Sequence, residues 1–321
     1  MNSEKSQTIA IIRIRLVANR GKSFQGSNVL GKGFILESDQ AHELIARDPR
    51  NKDVLFPYLN GEDLNSRPDC SASRWVINFH DWPEEQARRY PEVFDITERL
   101  VKPVRAQNSR AARRERWWQF AERAPKLYEA IRELDRVLVV ARVSKTCLPV
   151  FTPTGQVISE ATVIFASNST SDLALLSSGI HYLWVNAWGS SLKGDLRYTP
   201  SDVFETFPHP PPSGMKDLTE LGSLLNETRS SIMFECNLGL TKLYNRFHDP
   251  AATEREIGEL RDIHTRIDQA VVDAYGWGDL DLEYVFHQGK RGTRRTFVNA
   301  TQAEILDRLL ELNHARNQKE A

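Results

Sequence analysis

Apolar and polar positions alternate over residues 9–20 (IAIIRIRLVANR), which predicts a strand. Residues 23–34 (SFQGSNVLGKGF) carry three glycines and run into Phe34-Ile35-Leu36, a glycine-rich turn leading to a second strand. Asp39 begins a short helix with Ala41, Leu44 and Ile45 on one face. Residues 52–65 read as a loop built around Pro57 and Asn60-Gly61, and Trp75–Phe79 as a strand. Further on, 121–134 predicts a helix with Leu127, Ile131 and Leu134 on one stripe, and Arg136–Val143 a strand. Val150–Phe165 predicts a hairpin turned at Pro153-Thr154-Gly155. Residues 171–187 predict one buried helix, and 200–207 a short polar-capped segment ending at Pro208.

The pattern changes at HPPPSG (209–214). Consecutive prolines stop helix and sheet alike and form a stiff spacer. Beyond them Leu218, Leu221 and Leu225 recur at helical spacing. So do Ile257, Leu260, Ile263, Ile267, Ala270 and Ala274. His248-Asp249-Pro250 separates the two runs, which predicts an antiparallel helical hairpin. Residues 301–317 predict a last amphipathic helix with Leu306, Leu309 and Leu310 on its apolar side. The expected fold class is α+β: a mixed α/β domain over 1–210, then a helical hairpin, a basic loop and a C-terminal helix over 211–321.

Composition adds limits. The 321 residues are 40% hydrophobic and 26% charged, which is globular. Lys+Arg number 42 against 43 Asp+Glu, a net charge of -1 that excludes a wholly basic, histone-like binder. The total hides a division. Residues 99–116 hold seven basic residues and one acid, and 216–285 hold 7 basic and 14 acidic. Cys70, Cys147 and Cys236 are far apart and form no CxxC pair, which fits a reducing compartment and no zinc ribbon. The N-terminal apolar stretch is short and broken by Arg13 and Arg15, so a signal or membrane span is not expected. The expected location is the cytoplasm.

Catalytic signatures are missing from the sequence: there is no Walker A, GxGxxG, GxSxG or HExxH pattern. Pro68-Asp69 resembles the start of a nuclease motif, but no Asp/Glu-x-Lys follows it, so clustered Mg²⁺ ligands are not expected. His80, His181 and His209 have no partner at metal-ligand spacing. The chemistry that remains is cationic. Arg105, Arg110, Arg113, Arg114 and Arg116 lie in the 99–116 run, just before Trp117 and Trp118, which read as core residues. Lys290, Arg291, Arg294 and Arg295 lie beside Gly289 and Gly292, where backbone could approach phosphate closely. Arg142, Ser144 and Lys145 end a predicted strand, and Lys193 and Arg197 lie in a hydroxyl-rich loop. Arginine and lysine suit phosphate by counterion release, and arginine can read guanine bidentately. The expectation is that Arg110, Arg113, Arg114 and the 290–295 cluster meet phosphates. Arg142, Lys145, Lys193 and Arg197 are expected nearer base edges.

Several segments resemble one family. FQGSNVLGKGF, PYLNGEDLN (57–65), RWVINF (74–79), YPEVFD, VKPVR (101–105) and WWQF (117–120) resemble the target-recognition region of MmeI-like type IIL restriction–modification enzymes and related adenine-specific DNA methyltransferases. SSLKGDLRYTPSDVFETFPHP (190–210), AYGW (274–277) and EILDRLLELNHAR (304–316) continue the likeness in collinear order. Those enzymes also carry an AdoMet-binding fold and an (N/D/S)-P-P-(Y/F/W) loop. Here His209-Pro210-Pro211-Pro212 has neither the polar lead residue nor the aromatic. The resemblance therefore implies sequence-specific recognition of double-stranded DNA, with no catalytic, cofactor or metal residue in this chain. It also implies AdoMet and a DNA methyltransferase domain or subunit as the partner that flips and methylates an adenine. The alternative is a helical scaffold, suggested by the acidic 216–285 segment, that docks to a methyltransferase without touching DNA. A free-standing enzyme has the least support.

Overall fold

The computed structural model describes residues 13–192 and 194–320. The expected strand at 9–20 falls partly outside them. Within them residues 13–16 are irregular and Val17–Asn19 form a single 3₁₀ turn. The Asn313 side chain takes the place of a strand partner: its Oδ1 accepts the Ile14 N–H at 2.8 Å and its Nδ2 donates to Ile14 O at 2.7 Å.

Two four-stranded sheets form the α/β part. One contains β1 (Ser23–Gln25), β9 (Thr162–Phe165), β5 (Arg136–Ala141) and β7 (Val150–Pro153), in that order and antiparallel throughout. β5 is central and is buried from Val137 to Ala141, hence its unbroken apolar run. The other sheet contains β2 (Ile35–Glu37), β4 (Arg74–Ile77), β3 (Leu55–Leu59) and β8 (Val157–Ile158). β3 and β8 are parallel, with Tyr58 opposite Val157 and Leu59 opposite Ile158. The expected hairpin over 150–165 is therefore corrected. β7 and β9 flank β5 on opposite sides, and the chain between them crosses to the other sheet as β8. The expected loop at 52–65 is corrected too. It holds β3 and α2 (Gly61–Ser66), whose N-cap Asn60 accepts the Glu62 and Asp63 amides while Asp63 returns a bond to Asn60 N–H.

The second sheet has its own core, in which Phe34, Leu36, Val54, Val76 and Phe79 pack with Val93, Phe94, Trp117 and Trp118. α1 (Ser38–Arg47), α3 (Glu84–Ala87), α4 (Pro91–Leu100), α5 (Lys102–Ala106) and α6 (Ala111–Glu115) belong to this lobe. The helix expected at 121–134 is shorter, α7 (Pro125–Ala130), because Ala124 adopts φ +54 just before it. The helix expected at 171–187 is two, α8 (Thr170–Ser177) and α9 (Gly179–Trp188). Ser178 takes extended angles between them and caps α9 through the His181 N–H.

A larger core runs from β5 and β9 through α8 and α9 into the C-terminal helices. α10 (Lys216–Glu235) buries Leu218, Leu221, Leu225, Ile232 and Met233. It passes so close to α8 that a Cβ on Gly222 would collide with Thr170 O. The expected two-helix hairpin is three helices: besides the break at 248–250 the chain turns at 236–239, which gives α11 (Leu240–Phe247) before α12 (Arg255–Tyr275), and Gly214, just before α10, packs on Ala274 at the end of α12. The apolar core thus continues across the proline segment 210–212. α13 (Asn299–Glu320) closes the fold over Ile305, Leu309 and Leu310. Between α12 and α13 lies a hairpin of β12 (Tyr284–Gly289) and β13 (Gly292–Phe297), where a glycine-containing loop was expected. Lys290 and Arg291 form its turn without positive φ, and Gly292, the first residue of β13, takes φ +97, the left-handed residue that follows a type I turn in such hairpins. No helix among the described residues is long and apolar enough to cross a membrane.

Candidate nucleic-acid interface

A three-stranded sheet builds the centre of the site. β6 (Val143–Ser144) pairs with β11 (Asp195–Arg197), which pairs with β10 (Ser190–Leu192). This register sets Arg197 opposite Val143, and the Tyr198 N–H donates to Arg142 O at 2.8 Å. Arg142 and Arg197 are therefore neighbours, 55 residues apart in sequence (197 − 142). Burial, then the charge of Arg197, hold the Arg142 guanidinium below its ordinary range, while Glu160 opposes them. Lys145 is exposed one residue beyond β6. Lys193, which follows β10 in sequence, lies outside the described residues.

The β12–β13 hairpin leans on this sheet through its arginines. Arg291 donates to Gly194 O at 2.9 Å and to Asn186 Oδ1 at 2.8 Å, so the hairpin tip is tied to the β10–β11 turn and to α9. Arg294 donates to Lys145 O at 3.1 Å and lies over the Tyr182 ring at 3.5 Å. Alternation along the strand sends Arg295 the other way, toward the helices. Its guanidinium reaches Thr265 Oγ1 at 2.9 Å and covers the Tyr284 ring at 3.8 Å. Lys290 remains exposed at the tip. Sequence spacing had placed Arg142, Lys145, Arg197 and 290–295 in separate segments; the fold gathers them.

Asp268 fixes the base of the hairpin. It is buried on α12 and accepts the Gly179 N–H at 2.6 Å and the Tyr284 hydroxyl at 2.9 Å, joining α9, α12 and β12. Burial pushes its carboxyl up to about 7. A Cβ on Gly179 would sit 2.9 Å from the Phe297 ring, so only glycine lets these elements close up. Asp268, Tyr284, Asn186 and Tyr182 carry no sequence signal that separates them from ordinary core and helix positions.

The 99–116 run is less free than its charge suggests. Arg99 pairs with Asp95 at 2.8 Å and Lys102 with Glu98 at 2.7 Å. Arg113 and Arg110 approach Glu122 at 3.3 and 3.9 Å. Arg114 donates to Asn108 O and Ser109 O. Arg116 is exposed and, with Arg113 and Arg123, lines a depression of about 230 Å³. Arg105 is a correction to the expected DNA-facing set. It is 1% exposed and donates to Val29 O, Leu30 O and Gln119 O, so it braces the lobe from inside. Ser144 is a second correction. Its buried hydroxyl accepts the Thr146 and Cys147 amides and meets Thr146 Oγ1, so it shapes the turn that presents Lys145. The two basic regions are linked by a polar seam. Asn28 exchanges backbone bonds with Glu122, and its Nδ2 donates to Glu160 at 2.8 Å.

This arrangement defines a class of protein: an α+β recognition module whose cations are spread over a sheet edge, a hairpin and a helical lobe. The chain belongs to the family of the MmeI target recognition domain, whose model matches residues 15–211. Among solved structures it is similar to the type IIL restriction–modification enzyme MmeI in complex with DNA. The TM-score is 0.69 at 19% identity, over 96% of this chain. The chain spans 36% of that enzyme's length. No curated protein matched.

Proposed function

We propose that this chain is the sequence-specific duplex-DNA recognition module of a restriction–modification or adenine-specific DNA methyltransferase system. The observation that carries the proposal is the convergence of Arg142, Lys145, Arg197, Lys290 and Arg291 on one small sheet and the adjoining hairpin in a member of this family. Lys290, Arg291, Arg110, Arg114 and Arg116 serve phosphates, which set register. Arg142, Arg197 and Lys193 serve base edges, which carry sequence.

Methyl transfer belongs to another domain or subunit. AdoMet suits that portion better than this chain. A cavity of about 660 Å³ between Phe165, Phe204 and His209 sets Lys22 and Arg316 in its wall, where they would repel a sulfonium. Its carboxylate, Asp172, is held by the Ser167 hydroxyl at 2.5 Å. The scaffold alternative is weaker, because the apolar stripe of α10 is already buried in the larger core. Selection from a random duplex pool tests the proposal. Enrichment of one short motif is the expected result, and a pool that stays random after repeated rounds refutes it.

A further inference from the structure

The chain enters the lobe of the second sheet at Asn28 and leaves it at Glu122, and these two residues pair through backbone bonds of 2.9 and 3.1 Å. Beside that neck a cleft of about 360 Å³ opens between the lobe and α7. Phe56, His80 and Phe120 line it from the lobe, and Pro125 and Tyr128 from α7. The His80 ring stands edge-on to Phe56 at 5.5 Å, and the Tyr128 hydroxyl accepts the Ile158 N–H at 3.2 Å, which holds that ring in place. Aromatic rings on both sides suit a planar guest.

The polar groups of the cleft are few, and each has one end unused among the described residues. Asn78 Oδ1 accepts the His80 N–H at 2.9 Å, which leaves Nδ2 as a donor. Gln156 Nε2 donates to Thr152 Oγ1 at 2.6 Å and to Pro153 O at 2.8 Å, which leaves Oε1 as an acceptor. His80 Nε2 lies 3.1 Å from Asp53 O. A carbonyl only accepts, so in the neutral ring the proton sits on Nε2 and Nδ1 is an acceptor. None of these three unused atoms is shut away from solvent. One donor and two acceptors beside aromatic walls match the edge and faces of a nucleobase.

The cleft adjoins the basic depression of about 230 Å³, since Phe120, Arg123 and Pro125 line both. In the depression Arg113 pairs with Glu122 at 3.3 Å and Arg123 with Asp81 at 3.5 Å, while Arg116 has no acidic partner among the described residues. Two non-glycine residues hold left-handed angles here: His80 with φ +53, and Ala124, between Arg123 and Pro125, with φ +54. Such angles cost energy and gather at ligand clamps.

We infer that cleft and depression together form a mononucleotide site. The base enters between Phe56, His80 and Tyr128 and sets its edge on Asn78, Gln156 and His80. Its phosphate meets Arg116 and Arg123. The site is separate from the small sheet and hairpin that carry the recognition reading and goes beyond that reading. An extrahelical nucleotide of bound DNA and a free nucleotide present the same chemistry to it.

Calorimetric titration of the full chain with each of the four deoxynucleoside 5′-monophosphates, their nucleosides and inorganic phosphate tests this. At least one monophosphate should bind, with its nucleoside about tenfold weaker. Glycine adopts the φ of residue 80 freely, so H80G removes the ring and keeps the turn. H80G should weaken nucleotide and nucleoside alike by about tenfold. R116A should weaken the nucleotide by about tenfold and leave the nucleoside unchanged. No binding by any of the four, nucleotide affinity unchanged in both variants, or inorganic phosphate binding as tightly as the nucleotides would each overturn the inference. Adding a duplex to the nucleotide-bound chain separates the sources: displacement assigns the site to an extrahelical nucleotide of the duplex, and simultaneous binding assigns it to a free one. An H80G chain that loses the nucleotide and still selects its duplex motif supports a separate site and leaves the recognition reading standing. A wild-type chain that binds a nucleotide and selects no motif removes that reading and keeps the site.

Discussion

Asp268→Asn isolates the carboxyl that holds the base of the hairpin. In the folded chain this carboxyl keeps its proton up to about pH 7, because burial penalises the ion. In the unfolded chain it releases the proton near the ordinary aspartate value of 3.8. Between those limits the folded state holds one proton more than the unfolded state, so this group's contribution to stability falls as pH rises. The gap of about three units, at about 1.4 kcal/mol each, gives a change of order 4 kcal/mol across the window. Asn is close in shape to a protonated Asp. Its Oδ1 can accept the Gly179 N–H, and its Nδ2 can donate to the Tyr284 hydroxyl. The variant should therefore gain on wild type by about 3–5 kcal/mol between pH 4 and pH 7.5. Denaturant unfolding of both proteins at five pH values reads this difference directly, with contributions from other groups cancelling. A difference that stays constant with pH would refute the reasoning, and one that moves the other way would mean that the folded site favours the ion.

Arg105→Met should cost about 2–4 kcal/mol in the same unfolding assay, since three carbonyls lose a buried donor, and should leave duplex affinity of the folded protein unchanged. A selective loss of binding with no loss of stability would return Arg105 to the DNA-facing set. K290A and R291A should each lower the salt slope of duplex binding by about 0.9, and R291A should also raise hydrogen exchange in β10–β11 because its ties to Gly194 and Asn186 are cut. Equal slopes for wild type and K290A would remove Lys290 from the phosphate contacts. His181 and His264 are buried neutral, pushed down to about 4 and about 3, against 6.5 when unfolded. The unfolded chain therefore binds more protons between those values, and this part of the stability is lost as pH falls below about 6.5. Replacing His181 with Gln should flatten the acid limb of the stability curve; an unchanged limb would contradict that assignment.

Much of the fold was legible because burial repeats with the period of the backbone. The stripes of α10 and α12 and the apolar run of β5 follow from single positions and their spacing. Strand partners do not follow in this way. Thr152 and Thr162 are both buried and look like the two arms of one hairpin, yet they belong to strands on opposite sides of β5. The break at Ser178 was readable in principle from Ser177-Ser178-Gly179, a cap before a small residue, but the surrounding apolar residues suggested one continuous helix. In the same way Gly289 and Gly292 flank a two-residue turn that marks a hairpin. The site was legible as charge and not as geometry. A run of arginines does not reveal that Arg105 points inward while Arg116 points out. Nor does it reveal that Arg142 and Arg197 meet, because a two-residue pairing of β6 with β11 brings them together. The net charge of -1 is thus a sum over unlike faces, basic at the sheet edge and hairpin tip and acidic along the helical back.

The most direct test of the account is the affinity ratio between a duplex carrying the enriched motif and a scrambled duplex of the same length. It is read by fluorescence polarisation at two salt concentrations. Recognition by base edges over a phosphate-anchored frame predicts that both affinities fall steeply with salt while the enriched duplex stays at least about a thousandfold tighter. Equal affinities at both salts, or binding that does not change with salt, would contradict it.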